Sequence, residues 1–349
     1  MSADALVRPL GNAPVFFGTM ERQDQAHDAT YTAVREALQC GYRHFDLAEH
    51  YATNGQVGRA LSESEIPRDE LFIVSKYDGM PVGDYAAVKA RVQAMLDVVG
   101  LQRFDLILVH YPACTDKTDL TGDPAALATP SAWQFFVEHA KVSWEHMTRL
   151  RRDGLATHVG TSNFYPQHLA ELSKYTGDGA PVFANEIFID AAHPQEEFVK
   201  AMHAQGIQVL AYRPLAFVPH LALLDDLSSQ LTATTAAVDG IESPHQLVLG
   251  WLRGRGISPI ASSLSPEHIA SNFRAPILTL QAPTPCSRDG GDEQERLLSS
   301  HDPSEQLRGV LSAIAVQRDL IDMMGALDEY AAAFQQMGAA GLLSSEIRD

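Results

Sequence analysis

An acid, a phenol, an amine and an imidazole stand at or just beyond the ends of apolar runs in this chain. They are Asp46 and Tyr51 within YRHFDLAEHY, Lys76 closing LFIVSK, and His110 closing LILVH. Together they supply what hydride transfer to a carbonyl requires. A phenol with a reference pKa near ~10 still holds a proton at neutral pH and can donate it to the developing alkoxide. A neighbouring ammonium favours phenolate and brings proton transfer closer to working pH. A carboxylate beside the ammonium keeps it charged and in place. A neutral imidazole orients the substrate oxygen and completes the donor pair around it.

Each residue also has a plainer explanation. Asp46 could cap the following helix, Tyr51 could pack, Lys76 could be solvated at a strand end, and His110 could be a satisfied core histidine. The combination favours chemistry, because only six lysines occur in the chain and one of them closes the third strand.

The runs that carry these groups repeat. Strand-like segments end near Thr19, Leu47, Lys76, His110, Ser162, Ile187, Tyr212 and Ala261, with amphipathic stretches between them. Helices are expected over Ala29 to Cys40 (stopping at Gly41), Ala86 to Val99, Ser131 to Arg152 and Pro194 to Gln205. LFIVS, LILVH and IQVLAY are almost continuously apolar, as parallel strands covered on both faces should be. Strand–helix alternation repeated eight times predicts an α/β fold of the (β/α)8 TIM-barrel type, with strand ends converging on one face. An open doubly wound sheet would want a glycine-rich phosphate turn after its first strand, and the sequence has none. Long βα-loops are expected over Tyr111 to Pro130 and Arg213 to Glu242.

Composition narrows the partners. The 349 residues are 45% hydrophobic and 20% charged, ordinary values for a globular protein, with a formal net charge of −18. That charge disfavours nucleic acid or an anionic membrane as partner. Cys40, Cys114 and Cys286 are too scattered for a disulfide framework or a zinc site. With no signal-like or spanning apolar run, a cytoplasmic protein without a metal is expected.

The motifs as a set resemble the aldo-keto reductase family. GYRHFDLAEHYATNGQVGRAL is similar to the family's second strand and following helix. LFIVSKY, FDLILVHYP, VGTSNF, NEIF followed by HP, VLAYRPL and ISPIASSLSPEHIASN follow in family order. The resemblance covers about residues 8–273, and several motifs in the right order make it specific. It implies Tyr51 as general acid/base, with Lys76, Asp46 and His110 completing a tetrad. It implies that Ser162, Asn163 and Glu186 meet the nicotinamide carboxamide, that Tyr212 stacks on the ring, and that Gly18, Thr19, Arg213, Leu215, Ser262, Ser263, His268 and Asn272 complete the cofactor site. It places Met20, Leu47, His50, Asp78 and Tyr111 in the substrate pocket, for a small carbonyl or alcohol.

Some positions depart from the family pattern. Glu186 stands where glutamine is usual, and a carboxylate accepts from the amide NH2 without donating to its carbonyl. Arg213 replaces a serine and could pair with the pyrophosphate. The family's Ile-Pro-Lys-Ser becomes Ile260-Ala261-Ser262-Ser263, and its later arginine becomes His268, while Asn272 remains. Those two lost cations normally grip the adenosine 2′-phosphate, with Arg274 and His268 the nearest substitutes. NADP(H) is expected as cofactor, with weak discrimination against NAD(H).

Beyond residue 273 the resemblance ends, so residues 1–273 are read as the barrel and 274–349 as a helical extension packed on the barrel or on another subunit. Asp302-Pro303-Ser304-Glu305 resembles a helix start, followed by an apolar stripe from Leu307 to Phe334. The leading functional reading is a nicotinamide-dependent oxidoreductase. A cofactor-binding regulatory or redox-sensing subunit with slow turnover is the alternative, and a scaffold that has lost its cofactor is a third.

Overall fold

The computed structural model describes residues 10–20, 27–112, 130–177, 179–191, 193–216, 218 and 240–278. Within them eight parallel strands close into a barrel in the order β1 to β8, each strand followed by a helix. The strands are β1 (Phe16–Gly18), β2 (His44–Asp46), β3 (Phe72–Tyr77), β4 (Phe104–Val109), β5 (Ala156–Ser162), β6 (Ala184–Phe188), β7 (Gln208–Tyr212) and β8 (Ile257–Ala261). The helices are α1 (Ala29–Cys40), α2 (Asn54–Ser62), α3 (Tyr85–Val99), α4 (Pro130–Arg152), α5 (Pro166–Thr176), α6 (Glu196–Ala204), α7 (Pro244–Gly254) and α8 (Pro266–Phe273). The barrel closes where Phe16 and Phe17 of β1 register with Ile260 and Ala261 of β8.

The expected strand ends and helices agree with these elements to within two residues. Most of both long connections, the C-terminal extension beyond residue 278 with its helix start, Cys114 and Cys286 lie outside the described residues. No described helix is long and apolar enough to cross a membrane.

Successive residues of a strand point to opposite faces, so every second side chain enters the barrel. The inner core is Phe16, Val74, Leu106, Leu108, Ala184, Leu210 and Ile260, joined by Leu10. A separate, larger cluster fills the layer between sheet and helices, with Phe45, Leu47, Ile73, Ile107, Val159 and Val209 facing outward. Two positions beyond the inner-facing residues come Gly18, Lys76, His110, Glu186, Tyr212 and Ser262. The mouth of the barrel is therefore the next layer of the same alternation.

Local signals fix the helices on this scaffold. Gly41, at φ 108°, ends α1 in a left-handed conformation that disfavours a Cβ. Ser243 and Ser265 cap α7 and α8, each accepting from the backbone three residues on, with proline at the first helical position. At Gly58 of α2, a Cβ would collide with the Val99 carbonyl at the end of α3. Glycine lets the two helices approach this closely. The last described residues belong to the same body, because Leu278 N–H donates to Gly250 O at 3.0 Å.

Candidate active site

Lys76 is fully buried at the end of β3. Its Nζ donates to Asp46 Oδ1 at 2.6 Å and to Leu47 O at 3.0 Å, and lies 3.3 Å from Glu186 Oε1. It also lies 5.6 Å from the centroid of the Tyr51 ring. Burial alone would strip Lys76 of its proton, but Asp46 and Glu186 outweigh it and hold the ammonium well above its ordinary value. Burial raises the Tyr51 phenol as well, and Lys76 reverses only part of that because Asp46 and Glu186 act against it. The lysine was expected to lower the tyrosine overall; the second carboxyl and the burial explain why it does not in the free protein.

His110 belongs to a second cluster. Its Nδ1 is 2.8 Å from Asp78 Oδ1, and His50 Nδ1 is 2.9 and 3.1 Å from the two oxygens of the same carboxylate. The two imidazoles stack with centroids 5.2 Å apart, and His110 stacks on Tyr111 at 4.3 Å. Burial would raise Asp78, but hydrogen bonds from His110 and His50 outweigh it and hold the carboxyl well below its ordinary range. Burial also pushes His110 down to about 4, so it is neutral at neutral pH. An ionised carboxylate only accepts, so the single proton of neutral His110 must sit on Nδ1. Its Nε2 is then an acceptor, and the donor role expected of His110 is closed in this state. Glu49 and Arg91 brace the cluster from behind: Glu49 Oε2 accepts from Asp78 N–H at 2.9 Å and from Arg91 Nη2 at 2.6 Å.

Asn163 joins the third part of the site. It adopts a left-handed backbone (φ 59°), and its Nδ2 donates to His110 O at 3.0 Å while its Oδ1 accepts from Tyr212 Oη at 2.8 Å. Ser162 Oγ donates to Glu186 O at 3.0 Å. Thr19 Oγ1 donates to Asp46 O at 2.7 Å, and Thr53 Oγ1 donates to Thr19 O at 2.6 Å, tying the turn before α2 to the end of β1.

These groups surround one cavity of about 700 Å3 at the C-terminal end of the barrel. Of the residues expected in the site, Gly18, Thr19, Met20, Asp46, His50, Tyr51, His110, Tyr111, Ser162, Asn163, Glu186, Tyr212, Arg213, Leu215 and Ser262 line it. Lys76 lies just behind this lining, against Asp46 and Glu186; Leu47 and Asp78 do not line the cavity either, and their place in the pocket wall is corrected. Leu47 points into the sheet–helix layer and contributes only its carbonyl, while Asp78 is fully buried behind the two histidines. Ser263, Asn272 and His268 also stand off the main cavity: Ser263 borders a small adjoining hollow with Gly18 and Ser262, and His268 is exposed on α8. Sequence reasoning missed Pro214, Ala216, Ile260 and Ala261 as wall residues and Glu49 and Arg91 as braces. Only Ile260, an inner-facing neighbour of Ser262, carried a signal that could have found it.

The site suits a nicotinamide in two respects. Glu186 Oε2 is enclosed without a donor, as an acceptor awaiting an amide NH2 would be. A Cβ on Gly18 would come within 3.0 Å of Ile260, so that strand end stays flat at the cavity edge. The 2′-phosphate substitutes fit less well, because Arg274 is paired with Glu242 at 2.9 Å.

Comparison with known proteins agrees with this geometry. The model of the Aldo/keto reductase family matches residues 14–282. An aldehyde reductase of Saccharomyces cerevisiae is 33% identical over 269 residues, covering 74% of this chain and 81% of the relative. A glycerol 2-dehydrogenase (NADP(+)) of the same yeast is 29% identical over 261 residues, covering 72% and 79%. Among solved structures, a Bombyx mori aldo-keto reductase in complex with NADP superposes with a TM-score of 0.60 at 26% identity, covering 76% of this chain and 85% of that one. The chain belongs to the aldo/keto reductase family.

Proposed function

We propose that this chain is an NADP(H)-dependent carbonyl reductase, or alcohol dehydrogenase in the reverse direction, with Tyr51 as its general acid/base. The observation that carries this reading is the meeting of Asp46, Tyr51 and His110 on one cavity, with Lys76 buried just behind its wall against Asp46. Bound there, the nicotinamide supplies the hydride. Tyr51 holds the proton at Oη, Lys76 stabilises the phenolate left behind, and Asp46 keeps Lys76 in place. Ser162, Asn163 and Glu186 would face the carboxamide, and Tyr212, fixed by Asn163, would lie against the ring. Gly18, Thr19, Arg213, Leu215 and Ser262 carry the cofactor onward, with Ser263, His268 and Asn272 at its far end. Met20, His50 and Tyr111 form the substrate wall.

The acceptor nitrogen of His110 refines the substrate class. A wall that accepts hydrogen bonds favours a carbonyl compound with a hydroxyl beside the reacting carbon over an apolar aldehyde of equal size. Because Arg274 is engaged with Glu242, NADPH should be preferred over NADH only weakly. The scattered cysteines and acidic charge support a cytoplasmic protein acting on small molecules. Residues 274–349 are proposed as an extension on the barrel or on a second subunit; truncation before Asp302 should then alter KM or oligomeric state.

The direct test follows NADPH and NADH oxidation with a panel of hydroxylated and apolar carbonyls. Carbonyl-dependent turnover is expected, fastest with a hydroxylated aldehyde. Tight cofactor binding with negligible turnover on every carbonyl would return the regulatory reading, which the relatives, named as a reductase and a dehydrogenase, do not favour.

A further inference from the structure

Two carboxyl groups, not one, enclose Lys76. Its Nζ lies 2.6 Å from Asp46 Oδ1 and 3.3 Å from Glu186 Oε1, and no side chain of the three is more than 5% exposed. One ammonium does not balance two buried carboxylates; the surplus charge is removed most cheaply by binding a proton. The Asp46 and Glu186 carboxyls converge on the same Nζ, so ionising both would set two buried negative charges side by side, a conflict that a proton on one of them relieves. Ionised, Glu186 would also leave Oε2 as an enclosed charged atom with no donor. Among the described residues the titratable groups facing Glu186 are Lys76 on β3, Asp46 on β2 and Tyr51 beyond β2, and only the lysine is cationic. Burial, then Asp46, push Glu186 up to about 8 against the pull of Lys76.

Resting on the proposed cofactor site, we infer that Glu186 carries a proton shared with Asp46 over the Lys76 ammonium, and that losing it shifts the site's preference toward the oxidised nicotinamide. The reduced ring is uncharged and the oxidised ring is a cation. With the proton in place, Asp46, Lys76 and Glu186 sum to zero charge and treat the two rings nearly alike. Once the proton leaves to solvent, the trio carries one negative charge beside the ring and attracts only the cation. No electron moves in this step. Glutamine, the usual residue here, has no proton to lose, so this device belongs to the carboxyl at 186. It ties the charge around the proton donor's lysine to the redox form of the cofactor that the site holds.

Two measurements on the full chain test the inference. Infrared difference spectra of the free protein should show a protonated-carboxyl C=O band near neutral pH that fades above about pH 8 and is missing in Glu186→Gln. The ratio of NADPH to NADP+ dissociation constants, from fluorescence titration between about pH 6 and 10, should shift toward NADP+ by about tenfold in the parent. Taking the ratio cancels the phosphate titration common to both. The ratio should stay flat near its low-pH value in both Glu186→Gln and Asp46→Asn, because each leaves one carboxylate against one ammonium and a trio of zero net charge. A pH-independent ratio in the parent, or an equal shift in Glu186→Gln, overturns the redox preference. Absence of the acid band overturns the shared proton. If neither nicotinamide binds at all, the cofactor reading and the redox preference fall together, while the band still decides the proton.

Discussion

Lys76 and Asp78 stand two residues apart and organise opposite kinds of cluster. Around Lys76 one cation meets two acids; around Asp78 one acid meets two imidazoles. The second arrangement is satisfied without an added proton, because ring N–H groups can saturate the oxygens of a carboxylate. The first is not satisfied until a proton is added. The contrast teaches that burial is tolerated for a carboxylate when donors outnumber acceptors, and forces protonation when acceptors outnumber donors.

The largest test of this contrast breaks the Lys76 side. Tyr51→Phe removes only the phenolic proton and should lower kcat by about 10²–10⁴-fold while leaving NADPH affinity nearly unchanged. Lys76→Met should be similarly impaired, and the double variant little worse than either, since the two act as one unit. Single-turnover NADPH oxidation and fluorescence titration measure the two quantities. A Tyr51→Phe rate within about tenfold of the parent would remove the tyrosine from the mechanism.

Breaking the Asp78 side should cost less. In Asp78→Asn one imidazole loses its acceptor, and His110 is free to place its proton on Nε2. We expect kcat/KM for a hydroxylated aldehyde to fall by about tenfold, with an apolar aldehyde of the same length affected far less. Equal losses for both substrates would show that Asp78 supports the fold alone.

The two clusters should also respond to pH with opposite sign. Asp78 is depressed below its unfolded value of 3.8, so its contribution to stability is present above that value and is lost as pH falls through the folded pKa. Glu186 is raised from 4.5 to about 8, so its contribution is present below the unfolded value and is lost as pH rises toward about 8. Thermal unfolding across pH should therefore show an acid limb flattened by Asp78→Asn and an alkaline limb flattened by Glu186→Gln. An alkaline limb that persists in Glu186→Gln would assign it elsewhere.

The smallest effect is expected one layer further out. Glu49→Gln weakens the grip on Arg91 but retains an oxygen for the Asp78 N–H, and should change kcat by only a few-fold while lowering stability by about 1 kcal/mol. A loss as large as that of Asp78→Asn would mean that the brace, not the carboxylate, positions the histidines.

Much of this site was readable because it follows strand parity. Lys76, His110, Glu186 and Tyr212 continue the inner-facing alternation of apolar strands, so their convergence follows from the register. The same parity should have removed Leu47 from the pocket, since its neighbour Asp46 faces inward. Asp78 lies past the strand end, where alternation no longer governs, and it turns behind the histidines instead of lining the wall. Glu49 and Arg91 meet across 42 positions of sequence from a loop and a helix face, a pairing that no local pattern encodes. The carboxyl at 186 was visible as a departure, yet its proton emerges only when Lys76 and Asp46 are seen in contact with it.

Gly58 shows how far the demands of this site reach. It carries no polar group and lies on the side of α2 that faces α3, yet the clearance it leaves against the Val99 carbonyl sets how deeply α2 can settle. Tyr51 enters the cavity from the turn that leads into this helix, and Thr53 ties the same turn to β1. The seating of the segment that carries Tyr51 thus depends on the close approach that Gly58 allows between α2 and α3. Gly58→Ala, remote from the cavity, would act as a shim under the segment that carries Tyr51.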